Sequence, residues 1–210
     1  SERTGLIALQ GPAAREILRP LASIDVDDVK YYRLSEGSVA GAPAVISGTG
    51  YTGEDGFELY VDANDAPRVW DALLDGGSGA GLIPVGLGAR DSLRLEMGYA
   101  LYGSDLDEQH TTLEAGLGWV TKLDKGDFVG RDALLAQKEA GVVRRLVAMS
   151  LQTRGFPRPG YDVTHGGEVI GKVTSGTVSP SLGIGVAMGY VPTELSKPGT
   201  MLQIDVRGRP

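Results

Sequence analysis

The sequence predicts an α+β region over residues 1–140 followed by a small C-terminal β-barrel over residues 141–210. Helix-period apolar patterns recur through the first part and stop near Val142. From there, short period-two runs alternate with Gly and Pro turns at the spacing of small barrels and sandwiches. The third observation is the stretch Gly50-Tyr51-Thr52-Gly53-Glu54-Asp55-Gly56-Phe57-Glu58-Leu59-Tyr60. The apolar run Ala44-Val45-Ile46 leads into it and an alternating run leads out, as in a strand pair.

In chain order, Leu6-Ile7-Ala8-Leu9 reads as a strand running into a short helix, with Pro12 in the first turn and Pro20 closing it. Opening directly on a strand, the chain is expected to be preceded by further sequence in the natural protein. Val29 to Leu34 and Ala44 to Ser47 read as strands joined by a Gly- and Ser-rich turn. Gly53-Glu54-Asp55-Gly56 reads as a tight turn whose two glycines tolerate positive φ. The strand after it sets Phe57, Leu59 and Val61 against Glu58, Tyr60 and Asp62.

Asn64 or Asp65 is expected to cap a helix that carries Pro67 in its first turn and ends at Gly76-Gly77. Val69, Trp70, Leu73 and Leu74 share one face, and Trp70 is expected to pack between helix and sheet. A second helix is predicted from Leu87 to Met97, with Leu87, Ala89, Leu93 and Met97 buried. Arg90 and Arg94 lie one turn apart on it. Two such charges repel unless Asp91, Glu96 or a bound anion sits over them. Gly116 to Val120 reads as a strand, with Trp119 either in the core or walling a pocket for a flat ring. Asp132 to Gln137 reads as a helix ending at Gly141. Arg145–Leu151, Tyr161–Thr164, Glu168–Thr174, Gly185–Val191 and Met201–Val206 are strand candidates, with a hairpin turn at His165-Gly166-Gly167-Glu168.

Composition removes several functions. With no cysteine there is no disulfide framework, thiolate metal site or cysteine nucleophile, and the two histidines lie in unrelated segments, so no metal site is expected. A net charge of −7 disfavours duplex nucleic acid. No apolar run reaches membrane-spanning length and no signal-peptide pattern opens the chain, so it reads as soluble. A Gly-x-Ser-x-Gly elbow and a phosphate-cradling glycine loop are also absent. What remains suits a planar, polar heterocycle with an acidic tail: Glu58 to accept from an amino-pyrimidine edge, Arg90 to orient that carboxylate or pair with ligand oxygen, and Tyr51 and Trp119 to cover ring faces.

The organising stretch closely resembles the G-Y-T-G-E-D-G-x-E signature of the glycine cleavage system T protein family. Gly88-Ala89-Arg90-Asp91-Ser92-Leu93-Arg94-Leu95-Glu96-Met97-Gly98 resembles the family's A-R-D-S-L-R-L-E-x-G helix. Leu117-Gly118-Trp119 and Lys125-Gly126-Asp127-Phe128-Val129-Gly130-Arg131 resemble its next two blocks. Thr174-Ser175-Gly176-Thr177, Ser179-Pro180 and the run Ile184 to Val191 resemble its C-terminal signature.

The resemblance covers nearly the whole chain and implies a partial aminomethyltransferase-type folate-binding domain followed by the barrel. The implied reaction passes a methylene from the aminomethyl-lipoyl arm of the H protein to tetrahydrofolate, the substrate that stands where a cofactor would, with release of ammonia. It implies Glu58, Arg90, Tyr51, Trp119 and Arg145 as folate-binding residues, and a lipoylated H protein and a small-molecule folate as partners, with neither nucleic acid nor membrane. The expected compartment is the cytoplasm in a bacterium or the mitochondrial matrix in a eukaryote. The family's essential aspartate belongs to an N-terminal segment without counterpart here, so no catalytic residue is expected in this chain and the chain alone is expected to be inactive. A strand beyond the equivalent of Val206-Arg207-Gly208-Arg209 is also expected to be missing.

Three other readings compete. An iron-sulfur-cluster assembly folate protein would carry a cysteine in the block at Lys125 to Arg131, which has none. The folate domain of a dimethylglycine or sarcosine dehydrogenase would follow a flavin domain. A non-catalytic folate-binding module would bind folate without turnover.

Overall fold

The computed structural model describes residues 2–206. The chain divides after Leu93 into two compact units.

The first unit is built on a four-stranded antiparallel sheet of order β1-β4-β3-β2, with β1 Thr4–Gln10, β2 Leu34–Val39, β3 Ala42–Ser47 and β4 Gly56–Asp62. The alternation read from the sequence places one residue set per face, as the period of a strand requires. Ile7, Leu9, Ile46, Phe57, Leu59 and Val61 are buried and pack with Ile17 and Leu18 of α1 (Ala14–Leu18) and Val69 and Leu73 of α2 (Ala66–Gly77). The other face leaves Ala8 and Tyr60 exposed and Glu58 half-buried. Glu58 is thus central on the uncovered face, with small neighbours in register on both sides, Ala8 of β1 and Ser47 of β3.

Several sequence expectations are corrected here. Val29 to Leu34 is not a strand: Val29 is buried but irregular, Tyr31 and Tyr32 form a turn, and Tyr32 takes a φ of +59°. β2 instead runs through the Gly- and Ser-rich segment. A Cβ at Gly37 would come within 2.9 Å of Ile24, so this glycine permits close packing inside a strand. The turn is Ala40-Gly41, with both φ values positive, as a two-residue hairpin needs. Trp70 is 39% exposed and Leu87 83%, so neither packs as expected.

The second unit holds α4 (Arg131–Ala140) and a five-stranded antiparallel sheet of order β5-β8-β7-β6-β9. Its strands are β5 Arg144–Ser150, β6 Asp162–His165, β7 Glu168–Val178, β8 Gly185–Pro192 and β9 Gln203–Ile204. All five expected strands are present, and Gly166-Gly167 makes the predicted hairpin turn, both with positive φ. The expectation that a strand past Val206 is missing falls on residues outside those described. Gly116 to Val120 forms turns rather than a strand, with Trp119 62% exposed.

α3 (Leu87–Glu96) has the predicted extent but a different buried face. Met97 is exposed just past its end, while Leu95 and Arg94 are buried. Arg94 donates to Asp105 Oδ2 at 2.6 Å, to Ser175 Oγ at 2.8 Å and to the Tyr99 carbonyl at 3.1 Å. Asp105 also accepts from Leu101 N–H and from the Thr174 and Ser175 hydroxyls. Asp105, outside the helix, is thus a buried anion that answers Arg94. Glu96 instead accepts from the Ser179 and Ser181 hydroxyls and the Ser181 amide; the Ser179 bond leads in holding its carboxyl below the usual range, against the opposing push of burial.

Candidate functional site

In the first unit the site is assembled by the connection between β3 and β4, residues 48–55, which is longer than the tight turn expected. Gln10, at the end of β1, organises it. Its Nε2 donates to the carbonyls of Thr49 and Phe57, each at 3.2 Å, and its Oε1 accepts from Thr52 Oγ1 at 3.2 Å. The amide lies so close to the loop that a Cβ at Gly50 would fall 1.9 Å from Gln10 Oε1, and one at Gly56 would fall 2.6 Å from the Leu9 carbonyl oxygen. Of the two turn glycines only Gly53, at φ +84°, uses the left-handed region. Gly56 is required by close approach instead. Beyond Gly53, Arg15 grips Asp55 through both carboxylate oxygens, at 2.6 and 3.1 Å.

This loop sets two of the predicted residues. Thr49 Oγ1 donates to Glu58 Oε2 at 2.5 Å, and Ser47 Oγ lies 2.9 Å from Thr49 Oγ1. One carboxylate oxygen is held from below, while Oε1 is bonded to none of the described residues. Tyr51 is half-buried, and the Arg90 guanidinium stacks over its ring, 4.5 Å from the centroid. Arg90 therefore rests on Tyr51, and Thr49, not Arg90, orients Glu58. Gln10 and Thr49 escaped the sequence reading. The only sequence signal for Gln10 is indirect, the pair Gly50 and Gly56, whose missing side chains make room for it.

In the second unit Trp119 and Arg145 line one cavity of about 320 Å³, together with Lys138 of α4, Leu113 and Val142. Successive strand residues face opposite ways, and β5 uses this. Arg144, on one face, donates to Glu114 Oε1 at 2.9 Å, and Arg145, on the other, lines the cavity. Glu114 is buried, and burial raises its carboxyl, but the Thr111 amide and the Arg144 guanidinium outweigh this and hold it below the ordinary range. Its backbone carbonyl also accepts from Leu146 N–H at 2.9 Å, so the Trp119 loop is fixed to β5. A larger recess, about 1150 Å³ between β5 and residues 195–206, contains none of the predicted site residues. No group of His, Asp and Glu among the described residues is arranged to hold a metal.

In the first unit a carboxylate stands on an open sheet face and an aromatic ring lies under an arginine; in the second, tryptophan and two cations line a cavity that holds no acidic residue. Residues 1–125 match the family model of the GCVT N-terminal domain, and residues 144–210 match that of the glycine cleavage T-protein C-terminal barrel domain. The chain belongs to the glycine cleavage T-protein family. It is 51% identical over 209 residues to the aminomethyltransferase of Halothermothrix orenii, an alignment covering 100% of this chain and 58% of that protein. The Moorella thermoacetica aminomethyltransferase is 50% identical over 209 residues, covering 100% of this chain and 57% of that one. Among solved structures, the glycine cleavage system aminomethyltransferase T of Bartonella henselae superposes with a TM-score of 0.88 at 35% identity, over 98% of this chain and 56% of that one. The chain thus spans less than two thirds of the relatives it matches.

Proposed function

We propose that this chain carries the folate-handling part of an aminomethyltransferase of the glycine cleavage system, in which the methylene on the aminomethyl-lipoyl arm of the H protein passes to tetrahydrofolate and ammonia is released. The observation that carries this reading is Glu58, a carboxylate in the middle of an open sheet face with one oxygen fixed by Thr49 at 2.5 Å and the other directed to no described residue. Such a group accepts from the amino-pyrimidine edge of a pterin without first giving up a partner. In the first unit Tyr51, backed by Arg90, offers a ring face; in the second unit, taken by itself, Trp119 and Arg145 offer an aromatic wall and a cation of the kind an acidic, ring-bearing ligand needs. These residues bind and orient, which is how a transfer between a carrier-bound group and a small-molecule acceptor gains from fixed geometry. We assign the proton-transfer step to none of them. The folate-binding region is assigned to residues 1–140 and the barrel to residues 141–210, a division supported by the interval between the two family matches. The compartment assigned is the cytoplasm, or the mitochondrial matrix in a eukaryote. No helix among the described residues is long and apolar enough to cross a membrane.

Calorimetric titration of tetrahydrofolate tests this reading. Glu58→Gln is expected to weaken binding by about 1–3 kcal/mol, the range for a charge-assisted hydrogen bond left unmade, with the melting temperature unchanged. Unchanged affinity with a lowered melting temperature would make Glu58 structural.

A further inference from the structure

Resting on the folate reading, we infer that Ser47 is a positioning residue that acts on the ligand through Thr49 and Glu58. Ser47 closes β3 and pairs directly with Glu58 of β4, so the two side chains start from the same open face. Thr49, two residues on, bridges them. Its Oγ1 donates to Glu58 Oε2 at 2.5 Å and lies 2.9 Å from Ser47 Oγ. A threonine hydroxyl has one proton, and this one is directed at Glu58, so Ser47 is the donor in the other bond. The relay therefore runs one way, from Ser47 to Thr49 to Glu58, and it leaves Glu58 Oε1 to accept from an N–H of the ligand.

The backbone that carries the two hydroxyls is fixed independently of them. Gly48, between them, is buried; its N–H donates to the Arg33 carbonyl at 2.8 Å and its carbonyl accepts from Tyr32 N–H at 3.0 Å. A Cβ there would fall 2.6 Å from the Lys30 carbonyl oxygen. On the other side, Gln10 Nε2 holds the Thr49 carbonyl. The competing structural role for Ser47 and Thr49 is to bond loop N–H or C=O groups, as these residues do in turns. Among the described residues the Ser47 and Thr49 hydroxyls bond only to each other and to Glu58. A carboxylate presented in this way favours an edge rich in N–H donors, and an isostere lacking one of them leaves an acceptor unpaired.

The test is calorimetry on the full chain with tetrahydrofolate and with its 2-desamino analogue, which lacks the exocyclic donor of the pyrimidine. For tetrahydrofolate, Thr49→Val is expected to weaken binding about tenfold and Ser47→Ala about threefold, as for a hydrogen bond lost at the carboxylate and one lost a step behind it. Thr49→Ser, which restores the hydroxyl, should recover most of the Thr49→Val loss. In the Thr49→Val background Ser47→Ala should have no further effect, because the relay is already cut. Each of the two weakening substitutions should cost the amino ligand more than the analogue and so narrow the wild-type preference. Wild-type affinity in Ser47→Ala, an undiminished Ser47→Ala effect in the Thr49→Val background, or equal weakening of both ligands with a lowered melting temperature overturns the inference; tetrahydrofolate binding by the wild-type chain then leaves the folate reading standing. Failure of the wild-type chain to bind tetrahydrofolate removes the folate reading and this inference with it.

Discussion

Each unit is tied together by one polar hub, and the two hubs are of opposite kinds. In the first, the neutral amide of Gln10 joins the end of β1 to the loop before β4 through bonds of 3.2 Å at a partly buried position. In the second, a full ion pair is sunk into the interior, Arg94 at 2% and Asp105 at 1% exposure, and the guanidinium also donates to Ser175 and to the Tyr99 carbonyl. A neutral hub is cheap to desolvate and cheap to lose, so it suits a loop whose shape serves a ligand. A buried charge pair adds little net stability over an apolar replacement, yet breaking it leaves an unpaired charge in the interior. The second hub therefore enforces one arrangement of residues 94–105 against β7.

The largest effect should come from breaking that pair. Asp105→Ala is expected to destabilise the second unit by about 3–5 kcal/mol, because Arg94 loses the buried carboxylate that accepts from it at 2.6 Å. The chain has two tryptophans, Trp70 in the first unit and Trp119 in the second, so Trp119→Phe and Trp70→Phe backgrounds report the units separately by fluorescence in urea. The Trp119 transition should move and the Trp70 transition should not. Equal movement of both would mean that the two units unfold as one and that the comparison between their hubs has no thermodynamic meaning.

Gln10→Ala sharpens the same comparison from the other side. It removes the donor to the Thr49 and Phe57 carbonyls and should cost about 2 kcal/mol, seen at Trp70 only. Its effect on tetrahydrofolate affinity should exceed that of a surface substitution, because Thr49, whose carbonyl Gln10 holds, orients Glu58. Loss of stability with wild-type affinity would show that the loop keeps its shape without the amide.

The hubs also mark the limit of what the sequence discloses. The alternation of β4, the barrel strands and the Gly166-Gly167 turn were legible because each is a local pattern of period two bounded by turn residues. The face of Glu58 followed from that period alone. For Arg94 the sequence offers Asp91, Glu96 or a bound anion and does not point to Asp105 and Ser175, which stand 11 and 81 residues away, separations that no helical period reports. β2 was misplaced for a related reason: Gly37 carries the composition of a turn but serves the approach of Ile24, a tertiary fact. Thr49 and Gln10 have no local signature either. They are known only from what they touch.

The smallest predicted effect concerns how the charged partners of the second unit respond to acid. Glu96, Asp107 and Glu114 are all held below the ordinary carboxylate range and all belong to that unit. A carboxyl with a depressed folded-state pKa binds its proton less readily folded than unfolded, so its contribution is full above the unfolded value, about 4.3 for glutamate, and is lost as pH falls through the lower folded value. Glu114 allows a clean measurement, since Gln at that position keeps the shape and removes the charge facing Arg144. Glu114→Gln should cost about 1 kcal/mol at pH 7, the upper range for a pair whose arginine is partly exposed, and the gap from wild type should close as pH drops below about 4. Urea midpoints reported by Trp119 between pH 7 and pH 3 measure this directly. The Gln10 amide does not titrate across that interval, so the cost of Gln10→Ala reported by Trp70 should stay constant while the cost of Glu114→Gln disappears. A Glu114→Gln gap that persists undiminished to pH 3 would mean that Glu114 acts through the geometry of its bonds to Thr111 and not through its charge.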